Sequence, residues 1–426
     1  MNFPVVKTLF NPWSPFWPAL ALTFAVSCML APERRKGLAA AVGIFFMAVY
    51  FYPAMAAALL GLSLALWALT AGDPIPAVSR FRAACALAIF GLLAICYSGL
   101  FLQYRNGFVL DDGLKIMFLA TFVKKVIYYL YERRTARVHH HTIGDVLAYF
   151  FSLPFMSGIG VSVAPSHMQS RWGRLGMRES LGSGAATLGK AGLYVLAYAA
   201  LDRWAGCFIL GPVFMKDWRD RPWWHLWVAF AVTYLAFYLV RYACEQTCIG
   251  SARLLGWDLR DNYEAPLLAP DYAEHWRRWN VHTREMLMAL FYYPTALALA
   301  RRRPDQTAGN LVTSFLVTFA GSGLFNFLIR ATLYPPLAWS SYGGLAFRVI
   351  IHEISQWIFV CIAAISILRR RTAGRPEPDF AARATGAAVV LFLRGLTLPL
   401  LMHNYPPDDW STPLKLAAAS FGVYWR

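Results

Sequence analysis

Apolar runs recur along this chain from residue 14 to residue 403 with only short polar breaks between them, and that pattern constrains the fold more than any motif. Hydrophobic residues make up 58% of the sequence and charged residues 15%, against about 25% charged in a soluble domain. Within a bilayer a spanning segment must satisfy its own backbone polar groups, so the expected fold class is an all-α polytopic membrane protein. The runs are Pro15 to Ala31, Gly37 to Tyr52, Ala54 to Thr70, Ala83 to Leu102, Leu114 to Leu130, Ile143 to Val163, Ala185 to Ala200, Trp223 to Ala243, Met286 to Ala300, Leu311 to Thr332, Gly344 to Leu368 and Gly386 to Met402. Several fall short of the roughly 20 residues of a straight span, which predicts re-entrant or internally packed helices. The first run ends without a convincing cleavage site and reads as a retained helix. No separate soluble domain is visible, so residues 1–426 read as a single integral membrane domain.

The net charge of +17 is spread over short loops and not gathered on one soluble face, which argues against a nucleic-acid partner. Arg34-Arg35-Lys36, Arg80 with Arg82, Arg133 to Arg137, Arg301 to Arg303 and Arg369 to Arg371 can share one side under an alternating topology. The loop Arg105 to Gly113, with Asp111 and Asp112, then falls on the other, so the basic loops are expected to be cytoplasmic. The seven cysteines lie mostly inside apolar runs. Cys244 and Cys248 have helical spacing without partner histidines, so neither zinc nor a disulfide framework is indicated. His139-His140-His141 reads as an interfacial polar loop, since three adjacent residues do not point to one metal.

One stretch breaks the lipid-like pattern: Gly256 to Pro294, GWDLRDNYEAPLLAPDYAEHWRRWNVHTREMLMALFYYP. Pro266 and Pro270 interrupt any helix, and Asp271-x-x-Glu274 is a helix-start signature, so a helix is expected to begin near Tyr272. On it Trp276 and Trp279 share a face, and Glu274 and Arg278 are spaced for an i,i+4 ion pair. An interfacial amphipathic helix accounts for Trp276 and Arg277 individually. Asn280 fits that reading less well, because it opens the run Asn280-Val281-His282-Thr283-Arg284 leading into apolar sequence, where an amide needs partners or a substrate.

The order of Gly256, Asn262-Tyr263-Glu264-Ala265-Pro266, His275-Trp276-Arg277-Arg278-Trp279 and Tyr292-Tyr293-Pro294 resembles the signature of the membrane-bound O-acyltransferase family, in its bacterial envelope branch. Asp145 to Gly158, DVLAYFFSLPFMSG, also resembles a helix of that family. The resemblance covers residues 105–360 as a family-like core, with residues 1–104 as N-terminal helices and 361–426 as C-terminal helices and tail. It implies a bundle of about 10 to 12 transmembrane or re-entrant helices around a central tunnel, in a bacterial inner (plasma) membrane.

Two departures bear on mechanism. Asn280 follows Trp-Arg-Arg-Trp where the bacterial branch has histidine, and Asn326, in Gly321-Ser322-Gly323-Leu324-Phe325-Asn326, stands where the family places its principal histidine. An asparagine amide has no accessible proton-transfer pKa and cannot serve as general base. The substitute is His352, in Phe347-Arg348-Val349-Ile350-Ile351-His352-Glu353, which resembles the histidine motif of eukaryotic lipid acyltransferases. Helical spacing gives two polar stripes, Arg348, His352, Gln356 and Ser322, Asn326, Arg330. They are expected either to line a common tunnel or to satisfy one another across a helix interface.

The resemblance implies acyl transfer from a thioester donor, acyl-CoA as co-substrate with no bound cofactor and no metal, to a hydroxylated acceptor presented by an envelope glycan, a lipid or a small hydrophobic alcohol. His352 would take the hydroxyl proton, while Asn280 and Asn326 would orient the donor or stabilise the oxyanion. Trp276, Arg277, Arg278, Trp279, His282 and Arg284 would bind the donor, since guanidinium groups suit phosphates. Membrane lipids are the other expected partners. A non-catalytic lipid-binding or assembly protein of the same likeness, and a transporter, remain open, although no convincing internal repeat supports the transporter.

Overall fold

A computed structural model describes residues 14–50, 53–72, 75–97, 112–135, 137, 142–156, 163–209, 220–333, 339–372, 380–397 and 415. The His139-His140-His141 cluster and most of the Arg105 to Gly113 loop lie outside them, as does the Arg330 side chain. The helices are α1 Phe16–Cys28, α2 Pro32–Tyr50, α3 Pro53–Thr70, α4 Val78–Tyr97, α5 Asp112–Arg134, α6 Ile143–Phe151, α7 Pro165–Ser170 and α8 Met177–Ala205. They continue as α9 Trp223–Leu254, α10 Tyr272–Arg278, α11 Val281–Leu287, α12 Tyr293–Arg302, α13 Thr307–Leu333, α14 Trp339–Thr372 and α15 Phe380–Thr397. Among the described residues no strand forms, and the one isolated bridge joins Trp172 to Trp257. Among the described residues, six stretches are long and apolar enough to cross a membrane: Pro53–Thr70, Val78–Ile95, Met177–Phe208, Trp223–Leu254, Thr307–Leu328 and Ala346–Leu368. The chain is an all-helical, multi-pass membrane protein.

Three apolar runs fold differently from their hydropathy. Ile143 to Val163 is not one helix, because α6 stops at Phe151 and Leu153–Met156 forms a 3-10 turn. Ser152 leaves helical geometry at φ -55° and ψ 134° and closes the end by donating its hydroxyl to Ala148 O at 2.6 Å, while Pro154 has no N–H with which to continue the ladder. Met286 to Ala300 begins inside α11, passes through a π-helical turn at Met288–Tyr292 and ends in α12. Pro294 lacks an N–H for the regular ladder, and the preceding π turn, with Tyr293 N–H bonded to Met288 O, absorbs the mismatch. Leu114 to Leu130 lies in α5, which is not among the six and holds ionisable groups inside the protein. Lys125 is 1% exposed and donates to Tyr149 O at 2.7 Å, with Phe155 against its ammonium. Glu132 accepts from both N and Oγ of Ser166 at 2.8 Å. A buried charge persists only with such partners.

The described residues form two compact units, one comprising Asn2–Val195 and Val240–Asn262, the other Leu196–Leu239 and Tyr263–Arg426. In the first, α6 starts with a reciprocal cap: Thr142 Oγ1 accepts from Asp145 N at 3.2 Å, and Asp145 accepts from Thr142 N at 2.9 Å. The same unit contains the end of α9. Gly256 N–H bonds to Arg253 O and Trp257 N–H to Ala252 O, both at 3.0 Å, the pairing of a Schellman stop. Gly256 takes the required left-handed position, φ 105°, which explains the glycine of the motif.

In the second unit, α13 and α14 pack along each other and α10 rests on α14. Its core joins Tyr272, Phe319, Val360 and Val390, flanked by Trp276, Phe315, Trp357 and Leu393. Where lipid is as apolar as these side chains, close packing and internal hydrogen bonds hold helices together more than water exclusion does. Gly386 shows how close: a Cβ there would stand 1.8 Å from Pro270 O. That approach brings α15 onto the start of α10.

Candidate functional site

The Trp/Arg block begins as its sequence implies. Asp271 caps α10 by accepting from Glu274 N at 2.9 Å, and the helix starts at Tyr272. Glu274 then takes both basic neighbours: Arg277 donates Nε and Nη2 to its two oxygens at 2.6 Å each, and Arg278 donates Nε at 2.6 Å. The hydrogen bonds from Arg277, reinforced by Arg278, hold the Glu274 carboxyl below its usual range against partial burial.

Trp276 and Trp279 do not share a face. Helix α10 lasts seven residues, so Trp279 follows its end in extended geometry, φ -90° and ψ 127°. Trp276 packs on Phe315 and Phe319 at 5.8 and 5.4 Å between ring centroids. Trp279 lies instead against Tyr234, at 5.9 Å, and Tyr263, at 4.7 Å. Asn280 then turns the chain into α11 with φ 48° and ψ 55°. Asparagine is one of the few side chains that accept this conformation, so the backbone alone accounts for its presence.

The other expected donor-binding residues are not equally accessible. Arg277 keeps 52% of its side chain exposed, whereas Arg278 is half-buried. Arg284 is largely covered and donates Nη1 to Arg277 O, and His282 is buried, 5% exposed. These residues form one folded corner, with Arg277 as its most open guanidinium.

Beneath that corner lies a polar cluster of which sequence reasoning found only part. His275 sits 2.9 Å from Pro266 O through Nδ1 and 3.2 Å from Tyr234 Oη through Nε2. A carbonyl can only accept, so Nδ1 carries the proton and Nε2 accepts from Tyr234. Burial, together with the nearby Arg394 guanidinium, pushes the His275 pKa down to about 3, so the ring is neutral. Tyr272 donates its hydroxyl to Gln356 Oε1, and Arg394 donates Nη1 to the same oxygen and, at 3.4 Å, to Tyr272 Oη. The guanidinium carbon lies 5.0 Å from the Trp279 ring centroid and 5.8 Å from that of Tyr234, a cation held between aromatic faces. Arg394 was legible as a single cation inside the apolar run Gly386 to Met402; that signal alone gave it no partner.

On α14 the stripe Arg348, His352 and Gln356 is buried at 5%, 6% and 3% exposure, as its i, i+4, i+8 spacing implies. The next residue, Glu353, is equally buried, and Asn326 on α13 donates Nδ2 to its Oε1 at 2.7 Å. Asn326 therefore engages the carboxylate beside His352. Burial pushes the Tyr272 hydroxyl pKa up, opposed by the adjacent Arg394 guanidinium and the hydrogen bond to Gln356. Arg348, His352, Glu353, Gln356, Asn326 and Arg394 thus supply donors, a carboxylate and an imidazole in a region otherwise built from apolar helices. Such groups can orient a polar ligand and exchange a proton.

A scan against protein-family models and a search of curated proteins find no match to this sequence.

Proposed function

We propose that the protein is a membrane-bound acyltransferase of the O-acyltransferase type, moving an acyl group from an acyl-CoA-like thioester to a hydroxyl on an envelope glycan, a lipid or a small hydrophobic alcohol in a bacterial inner membrane. The observation that carries the reading is the Tyr272–Gln356 hydrogen bond, which ties the Trp/Arg block to the helix bearing His352. The Trp-Arg-Arg-Trp part of the signature and the residue suited to act as base thus belong to one unit, while Gly256 and Asn262 belong to the other. In this reading His352 accepts the acceptor hydroxyl's proton as the alkoxide attacks the thioester carbonyl, and the thiolate of the donor leaves. Asn326, through Glu353, fixes the surroundings of that base. Asn280 orders the corner that presents Arg277 to the donor phosphates, and its amide is the candidate for hydrogen bonding to the donor. A central tunnel joining the two substrates belongs to the same proposal.

A second reading, a non-catalytic lipid-binding or assembly protein, is favoured by the hydrogen bond that commits Asn326 to Glu353. Purified protein in lipid nanodiscs, offered a panel of acyl-CoA donors with and without hydroxylated acceptors, separates the two. Acceptor-dependent release of free thiol supports the enzyme. No release with any donor, from protein that still unfolds cooperatively, favours the second reading.

A further inference from the structure

Arg301 and Arg302 end α12 and Arg303 opens the turn into α13, all three exposed. Among the described residues no carboxylate pairs with them. A helix dipole accounts for a basic residue in a last turn, and the charge bias of cytoplasmic loops for the side of the membrane, but neither says what three consecutive exposed guanidiniums meet there. Their surroundings fix their depth. Helix α13 contributes a 22-residue apolar stretch, Thr307–Leu328, about 33 Å long at 1.5 Å per residue and so matched to a hydrocarbon core of roughly 30 Å. The turn just before Thr307 therefore stands at one membrane surface. It is also held in place: Phe291 and Tyr292 pack on Phe325 and Phe315 of α13 at 5.8 and 5.0 Å, and Asn310 Nδ2 donates to Arg303 O at 2.8 Å.

Helix α12 has no buried residue, and Tyr293 and Leu297 are 60% and 56% exposed. With Arg301 they recur at i, i+4 and i+8, so one face runs from apolar to cationic as it nears the surface. We propose that the Arg301-Arg302-Arg303 turn is a docking site for the phosphate headgroups of anionic membrane lipids, whose acyl chains lie along Tyr293 and Leu297. Charge complementarity selects the occupant, because a cluster of guanidiniums at headgroup depth gains from acidic lipid and not from zwitterionic lipid. This inference rests on the multi-pass fold and not on acyl transfer.

The test uses the full chain in nanodiscs of phosphatidylcholine with a minor fraction of phosphatidylglycerol, with retained lipid read by native mass spectrometry. Wild type is expected to retain the anionic lipid selectively. R301Q/R302Q/R303Q should weaken that retention by on the order of 100-fold, about fivefold per arginine, and R301K/R302K/R303K should keep most of it. Equal retention by wild type and a folded glutamine variant overturns the proposal. So does displacement of the lipid by an equal concentration of inorganic phosphate, which would mark a site for small anions.

Discussion

Asn326 donates its side-chain N–H to Glu353 across 2.7 Å, between two apolar helices and beside His352. A carboxylate that is 6% exposed needs such a donor, and the amide supplies it without adding charge. Asn326→Ala is expected to lower unfolding stability by about 1–3 kcal/mol, the cost of stranding a buried acceptor. Asn326→Asp should cost more, because it sets two carboxylates against each other. Denaturant unfolding in detergent micelles measures both; an Asn326→Asp protein as stable as wild type would remove the bond from the account.

His275 makes acid stability a second test. Its folded pKa is about 3, below an unfolded value near 6.5, so on acidification the unfolded chain takes up the proton first. The stability it contributes is complete above pH 6.5 and is lost as pH falls from 6.5 toward 3, by about 1.4 kcal/mol per pH unit. Glu274, held low by Arg277 and Arg278, shows the carboxylate pattern, its contribution being lost only as pH falls below the ordinary carboxylate value through the lower folded one. Between pH 7 and pH 5 ordinary carboxylates stay ionised, so the difference between wild type and His275→Gln over that interval reports this one of the nine histidines. His275→Gln should lose markedly less stability over that interval, and an identical slope in both proteins counts against the buried neutral ring.

Arg394 is held by Gln356 and Tyr272 and by the faces of Trp279 and Tyr234. Arg394→Met should cost about 2–4 kcal/mol through lost charged hydrogen bonds and cation–π contact. Arg394→Lys should recover only part of that, since an ammonium cannot reproduce the planar fork. Melting of the three proteins in the same detergent ranks them; equal melting of wild type and Arg394→Met contradicts the clamp.

Two left-handed residues supply a backbone test. Asn280, φ 48°, should tolerate glycine within about 0.5 kcal/mol, whereas alanine should cost about 1 kcal/mol. Ala265, φ 50°, already bears that strain, so Ala265→Gly is expected to stabilise by about 1 kcal/mol. A stabilising Asn280→Ala would show that the turn is not what holds Asn280. Lost activity in a stable Asn280→Gly protein would assign the amide a chemical role.

What the sequence revealed follows from where its signals are local. Asp271 and Glu274 announce a helix start, and the spacing of Arg348, His352 and Gln356 a shared face; each depends on neighbours within a few residues, and each appears in the structure. The shared face of Trp276 and Trp279 failed because it assumed a helix longer than the seven residues present. Hydropathy likewise treated Leu114 to Leu130 as lipid-like although Lys125 lies within it, because partners such as Tyr149 O come from a different helix. The Tyr272–Gln356–Arg394 node was hidden for the same reason, being assembled from three helices far apart in the chain.

The central claim is that His352 removes the acceptor's proton. Thiol release from an acyl-CoA donor, measured for wild type and His352→Ala in nanodiscs with an acceptor that supports turnover, tests it most directly. The account predicts that kcat falls by about 10²- to 10⁴-fold, the usual contribution of a general base, with unfolding behaviour retained. Unchanged turnover in a folded His352→Ala protein would contradict it.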